Sequence, residues 1–246
     1  MNTSEKAYLQ DYNIHDYDLP LVSVDVAIFT LHKDTLQILL VRRGDHPHKG
    51  RWSLPGGFID LTRDTDLYAT ASRKLKEKTG VDTPYLEQVA SVGNRQRDPR
   101  GWSVTVLFMA LIPHVQTLAS ESGVMDAKWH SYDTCTSKKL AFDHAKLLQQ
   151  ARERLKNKSA YTALPIYLLE PPFTLTQLQH AFEELLGKSI EKKSFRRRMQ
   201  AADLLEEAGE SLPEGGRGRI ASLYRPKTAC EDYSFLRAFG SSTEEE

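Results

Sequence analysis

Arg51-Trp52-Ser53-Leu54-Pro55-Gly56-Gly57-Phe58, followed by Arg73-Lys74-Leu75-Lys76-Glu77-Lys78-Thr79-Gly80-Val81, sets a Pro-Gly-Gly turn ahead of a lysine-rich helix. Gly56 and Gly57 supply the backbone freedom that a tight turn needs. Residues 64–79 are rich in Ala, Lys and Leu and stop at Gly80, which predicts a helix with a glycine C-terminal signal. Offsets of three and four residues put Lys74, Glu77 and Lys78 on one helix face. Each lysine reads either as a solvated charge or as a group that faces a phosphate.

Strands flank this pair. Residues 21–31 (LVSVDVAIFTL) carry Val22, Val24, Val26 and Ile28 at period two, and residues 36–42 (LQILLVR) follow a hairpin-like join at His32-Lys33-Asp34. Residues 103–112 (SVTVLFMALI) read as a buried strand, and residues 144–157 as a helix with Leu148, Ala151 and Leu155 on one face. Strands interleaved with helices predict an α/β or α+β sandwich.

Composition narrows the classes. Lys plus Arg equals Asp plus Glu at 33 each, which excludes a histone-like polycation but leaves room for a local basic patch. The longest apolar run, residues 104–112, falls well short of the roughly 18 residues a membrane span needs. The polar, acidic N-terminus has no apolar core, so no secretory signal is expected. Cys135 and Cys230 are far apart and outside any CxxC pair, which argues against a zinc site or a disulfide framework. The expectation is a soluble, cytoplasmic, reduced protein with no membrane partner.

The pattern changes near residue 160. After Pro165, Pro171 and Pro172 comes an amphipathic helix at 174–187 (TLTQLQHAFEELLG), with Thr174 or Thr176 as N-cap and Gly187 at its end. A second helix is expected over 190–208, and the glycine-rich turn 215–219 (GGRGR) feeds a strand at 220–224. Helix, short turn, helix and basic hairpin outline a winged helix-turn-helix. Phe195, Met199 and Ala202 form a buried stripe by their spacing, while Lys193, Arg197 and Gln200 point away from it and Arg196 lies on the flank. Such a helix offers donors to base edges and phosphates. The candidate DNA-binding set is Thr174, Thr176, Gln177, Lys192, Lys193, Ser194, Arg196, Arg197, Gln200, Arg217 and Arg219. Thr174, Thr176 and Gln177 enter it because free N–H groups at a helix start attract phosphate. The arginines 217 and 219 enter as a basic wing. Arg198, near the apolar edge, is expected to be structural or at most a phosphate contact.

The WSLPGGF and RKLKEKTGV runs resemble the Nudix family. Its box is a glycine, then a glutamate, then R-E-U-x-E-E-x-G-U with U aliphatic, and it is matched here at Gly57, Arg73, Leu75, Glu77, Gly80 and Val81. The family's glutamates fall at Lys74, Glu77 and Lys78, where they would hold Mg²⁺ against a pyrophosphate. Three carboxylates carry −3, whereas Lys-Glu-Lys carries +1. The resemblance with these departures implies a box that is hydrolytically dead or very weak, with no metal, no catalytic residue and two lysines able to bind a pyrophosphate without cutting it. The RDPRGW string at 97–102 resembles Nudix domains that handle ADP-ribose. The implied ligand-binding set is Arg42, Arg43, Arg51, Gly56, Gly57, Arg73, Lys74, Glu77, Lys78, Arg97, Arg100 and Trp102. Trp102 has two readings, stacking on adenine or packing in the core, and core packing is preferred.

Taken together the halves resemble the Nudix-related transcriptional regulators of NAD metabolism, the NrtR family. The resemblance implies an α/β fold (Nudix α/β/α sandwich) with a C-terminal winged helix-turn-helix: a Nudix-like effector-binding domain at 1–158, a DNA-binding domain at 159–240 and a disordered tail at 241–246. It further implies a repressor of NAD biosynthesis or salvage genes. Such a repressor is a homodimer on a near-palindromic operator, needs no cofactor and senses ADP-ribose or a related NAD-derived nucleotide. Two other classes compete: an active Mg²⁺-dependent ADP-ribose or nucleotide pyrophosphatase with Glu77 as its surviving acid, and a DNA binder indifferent to ligands.

Overall fold

Strand β1 (Leu21–His32) runs through the middle of a seven-stranded mixed sheet because both of its faces are apolar. The structure, a computed structural model, describes residues 3–80, 82, 85–115, 124–135, 138–211, 220–227, 230 and 233–239. The expected turn at 215–219 and the expected tail at 241–246 lie outside the described residues. A short helix, α1 (Thr3–Asp11), precedes β1. β1 forms an antiparallel hairpin with β2 (Thr35–Arg43), in which Lys33 and Asp34 both take positive φ, as a two-residue hairpin turn requires. Short strands β3 (Trp52–Ser53) and β4 (Gly56–Phe58) follow, then helix α2 (Leu67–Thr79). β5 (Tyr85–Asn94) and β6 (Ser103–Leu111) complete one side of the sheet, with β6 parallel to β1 in the register Leu21↔Ser103 to Phe29↔Leu111. β7 (Val124–Ser131) pairs with β2 on the other side, followed by a single turn α3 (Tyr132–Cys135) and helix α4 (His144–Ser159).

Alternation along β1 builds two cores. Val24, Val26 and Ile28 pack with Ala71 and Leu75 of α2, whereas Ala27, Phe29 and Leu31 pack with Leu147, Leu148, Ala151 and Leu155 of α4. The first half is therefore an α/β/α sandwich. α2 begins at Leu67 rather than at residue 64, because Asp66 caps it by accepting the Ala69 N–H at 2.7 Å. Asp64 is instead turned onto Arg73. Gly80 closes the helix in the left-handed region at φ 72°.

β4 approaches β1 so closely that glycine is required. A Cβ on Gly56 would lie 2.4 Å from both Asp25 Oδ1 and the Val24 carbonyl oxygen. Gly56→Ala is expected to cost about 1–3 kcal/mol through overpacking. At roughly 2–4 °C per kcal/mol for a chain of this size, the thermal midpoint followed by circular dichroism should fall by several degrees.

The second half contains β8 (Phe173–Thr174), α5 (Leu175–Leu186), α6 (Lys192–Ala202), β9 (Leu205–Ser211) and β10 (Ala221–Pro226), with sheet order β8-β10-β9. This is a winged helix. Its core joins Phe173, Leu178, Phe182, Phe195, Met199, Phe235 and Phe239, and the Phe195–Met199 stripe faces inward as the spacing predicts. α6 stops at Ala202, six residues short of the predicted end. Asp203 takes the left-handed region at φ 53°, and Leu205, Glu206 and Glu207 pair with β10 in a ladder instead.

The halves share apolar surface. Ala181 and Leu185 of α5 belong to the same buried cluster as Leu36, Leu147 and Leu148. Across this contact Leu36 N–H donates to Glu184 Oε1 at 2.9 Å, and Arg152 donates to the Leu185 carbonyl at 2.9 Å.

Candidate functional site

A cavity of about 210 Å³ opens where β1, β4 and the start of α4 converge, lined by Arg43, Lys74, Lys78, Arg97 and Arg100 against Asp25 and Asp98. Five cations facing two carboxylates in one concave site attract an anion such as a diphosphate. Lys78 is only 4% exposed, and the Lys74 side chain is mostly covered, so neither is a solvated surface charge. Gly57 makes room for Lys74, since a Cβ there would stand 3.2 Å from Lys74 Cε.

The arginines are individually fixed. Arg97 is buried and donates to both carboxylate oxygens of Asp143 at 3.1 Å, with Asp25 Oδ2 at 3.6 Å. Asp25 also accepts the Thr105 hydroxyl at 2.8 Å. Arg100 chelates Asp98 at 3.0 and 2.7 Å while its guanidinium sits 5.1 Å from the Phe58 ring centre. Those hydrogen bonds hold the Asp98 carboxyl below its usual range. Arg43 lies 4.8 Å over the Phe142 ring, and burial first, then the field of Arg100, lowers its pKa. Like charges held this close are relieved by a bound anion.

His144 completes the wall. Its Nδ1 accepts the Leu54 N–H at 2.9 Å, which requires that nitrogen to be unprotonated, and burial lowers its pKa. A buried neutral imidazole contributes stability that is complete above the unfolded pKa of about 6.5 and is lost as pH falls below it, because only the unfolded chain takes up the proton freely. Urea midpoints are expected to drop between pH 7.5 and 5.5, and His144→Gln should flatten that part of the profile.

Several sequence-predicted residues lie elsewhere. Arg42 is exposed, with its Nε bonded to the Gly50 carbonyl at 3.1 Å, and Arg51 is exposed outside the cavity wall. Arg73 is committed to Asp64 at 2.6 and 2.7 Å and to Glu77 at 3.0 Å. These contacts push the Asp64 carboxyl far below its usual range. Glu77 does not line the cavity either, being held by Arg73, by Lys74 at 3.1 Å and by Arg63 at 3.7 Å. A carboxylate saturated by three cations and flanked by two lysines does not fit a Mg²⁺ site. Among the described residues no group of three or more His, Cys, Asp or Glu is placed to hold a metal ion. Trp102 is half exposed rather than in the core, lining a shallower hollow with Phe58, Arg100 and Leu19. Its ring lies over Gly93, where an added Cβ would stand 3.0 Å from Trp102 Cη2. Asp25, Phe142 and His144 join the wall without a sequence motif to mark them, and Asp98 joins it from the RDPRGW string, where only its arginine and tryptophan neighbours are singled out. A lone aspartate inside the apolar run 21–31 is the one available signal.

A second concave surface lies in the winged helix. Thr174, Thr176, Lys192, Arg196 and Gln200 line one groove with Ser222 and Tyr224 of β10. α6 thus presents the 192/196/200 row towards the start of α5 and the wing, while Lys193 is exposed and Arg197 lies on the side of the 233–239 segment. Thr174 and Gln177 are engaged with each other at the start of α5. They form a capping box, with Gln177 N–H on Thr174 Oγ1 at 3.2 Å and Thr174 N–H on Gln177 Oε1 at 2.8 Å. Glu191 caps α6 in turn, accepting from the N–H groups of Lys193 and Ser194. Arg198 turns inward, 3.7 Å from the Phe239 ring centre. Arg217 and Arg219 lie outside the described residues. β9 carries exposed Glu206, Glu207 and Glu210 along the far side of the wing.

Comparison with known proteins follows this division. Residues 21–151 match the NUDIX domain model, and residues 165–225 match the NrtR DNA-binding winged helix domain model. The chain is 51% identical over 233 residues to the ADPR responsive transcriptional repressor NtrR of Acinetobacter baylyi, covering 95% of this chain and 92% of that protein. Shewanella oneidensis NrtR complexed with a 27mer DNA superposes with a TM-score of 0.82 at 48% identity, over 89% of this chain and 99% of that one. The NUDIX domain of the Shewanella protein complexed with ADP ribose matches with a TM-score of 0.59 at 46% identity, over 63% of this chain and 99% of that one.

Proposed function

Because the chain belongs to the NrtR family, in which a Nudix domain is joined to a DNA-binding winged helix, we propose that it is an ADP-ribose-responsive transcriptional repressor. The observation that carries this reading is the cavity itself. Lys74 and Lys78 line it where a Nudix hydrolase needs carboxylates, and three arginines complete a cationic wall. Such a wall holds a diphosphate and supplies no metal to cleave it. The chain therefore senses ADP-ribose and does not hydrolyse it at enzyme-like rates. The regulated genes belong to NAD biosynthesis or salvage, and the active species is a cytoplasmic homodimer on a near-palindromic operator. The domain limits are 1–158 and 159–240, and the ligand set contracts to Arg43, Gly56, Gly57, Lys74, Lys78, Arg97 and Arg100. The DNA set centres on Lys192, Arg196 and Gln200, with Thr176, Lys193, Ser194 and Arg197 beside them.

Ligand and DNA then compete through protein conformation, and each weakens the other by the same factor. Selection from random duplex DNA with the purified chain, followed by mobility shift of the winning site with and without ADP-ribose, tests this. A two-fold symmetric site released by the nucleotide is the expected result. No enriched sequence, together with Mg²⁺-dependent release of AMP from ADP-ribose, would overturn it in favour of a pyrophosphatase.

A further inference from the structure

The nucleotide cavity and the DNA-reading helix belong to different halves of the chain, yet α4 touches the surroundings of both. At its start, His144 forms part of the cavity wall. The residue before it, Asp143, stands at the N-cap position but makes no capping bond to its own helix. Its carboxylate grips the buried Arg97 instead. An aspartate that gives up a cap ordinarily worth about 1 kcal/mol to hold a cavity arginine ties the helix to whatever that arginine binds.

Sixteen residues later, about 24 Å along the axis, the chain leaving α4 meets a returning segment at 233–239. Phe239 N–H donates to the Ala160 carbonyl at 2.6 Å, and Phe235 N–H donates to the Tyr161 carbonyl at 2.7 Å. Thr162 and Ser234 add an isolated antiparallel bridge. This strap ends on α6. The Arg198 guanidinium stacks 3.7 Å from the Phe239 ring centre and 5.1 Å from that of Phe235, and it donates to the Arg237 carbonyl. On its other side Phe239 packs 5.8 Å from Phe195 of the same helix.

We propose that α4 and the 233–239 strap form the link through which nucleotide binding re-aims α6, with Arg198 as the positioning residue that fastens the strap to that helix. The proposal rests on the function assigned above. A nucleotide that draws on Arg97 alters its grip on Asp143 and shifts α4, the strap follows through two backbone hydrogen bonds, and Arg198 transmits the shift to the DNA-reading face. The coupling runs within one protomer.

The test is the ratio of operator affinities without and with saturating ADP-ribose, measured on the full chain. Typical coupling factors are about 5- to 150-fold. Arg198→Met keeps the bulk of the side chain and removes its cation. It is expected to bring the ratio to within about two-fold of one while calorimetry shows ADP-ribose binding unchanged, and Arg198→Lys should restore part of the ratio. A merely structural role would alter DNA affinity and leave the ratio intact, and an intact ratio overturns the proposal. Wild-type hydrogen exchange gives a second reading that needs no variant. ADP-ribose should change exchange at the Phe235 and Phe239 amides by at least ten-fold, and unchanged exchange alongside DNA release overturns the link. Failure of the functional reading shows separately, as a wild-type ratio of one.

Discussion

The paired substitution Lys74→Glu and Lys78→Glu is expected to abolish the response of operator binding to ADP-ribose. Both ammonium groups line the cavity, and Lys78 is almost wholly enclosed. A hydrogen bond to a charged partner is worth about 1.5–3 kcal/mol, so removing two already weakens ADP-ribose by about 100-fold or more. Two new carboxylates then repel the diphosphate as well. The variant also removes the Lys74 ion pair with Glu77 and leaves three carboxylates on one side of α2. Isothermal titration should show ADP-ribose binding abolished and Mg²⁺ binding acquired. Retained ADP-ribose affinity would move the diphosphate away from this wall. Absence of any Mg²⁺ binding would mean that Glu77, held by Arg73, cannot swing to join the other two.

The second large effect lies on α6. Lys192→Ala with Arg196→Ala removes both cations of the row that faces the wing. Each hydrogen bond to a base edge or phosphate is worth about 1–3 kcal/mol, so losing two should lower operator affinity by about 30-fold or more in a mobility shift. Every phosphate that these side chains no longer neutralise should make the slope of log affinity against log salt shallower by roughly 0.9. Lys128→Ala, on the sheet of the other domain, is the control and should change nothing. If the double variant binds as the wild type does, the groove between α6 and β10 is not where DNA sits.

What the sequence discloses and what it withholds divide along physical lines. The box is legible because its departure is one of charge, and charge at Lys74 and Lys78 needs no coordinates to read. Direction is harder. Arg42 and Arg43 are neighbours on a strand, so alternation sends them to opposite faces, and only Arg43 reaches the cavity. Arg73 and Glu77 are four residues apart on α2, a spacing that favours pairing with each other over binding a ligand. Hydrophobicity alone sends Trp102 to the core, yet a glycine in the neighbouring strand lets it lie across the sheet edge, half in water. Phe142 and His144 come from a loop and a helix start whose approach is set by tertiary packing, which no local pattern reports. In the second half the buried stripe of α6 follows from spacing alone. Its end does not, because Asp203 takes a backbone conformation for which the sequence offers only a weak preference.

The acidic edge of β9 bears on how the protein finds DNA. The chain as a whole carries no net charge, so bulk attraction contributes little to its capture by a polyanion. Among its described residues the winged helix separates its charges instead, with Arg225 of β10 reaching Glu206 at 3.7 Å. Lys192, Lys193, Arg196 and Arg197 project from α6, while Glu206, Glu207 and Glu210 line the outer strand of the wing. A duplex drifting past exerts a torque on such a domain before it exerts a net pull. It turns α6 inward and keeps the β9 edge away, so that productive encounters are selected by orientation. The glutamates lie outside the reading groove, so neutralising them is expected to alter the association rate, read by stopped flow, more than the dissociation rate.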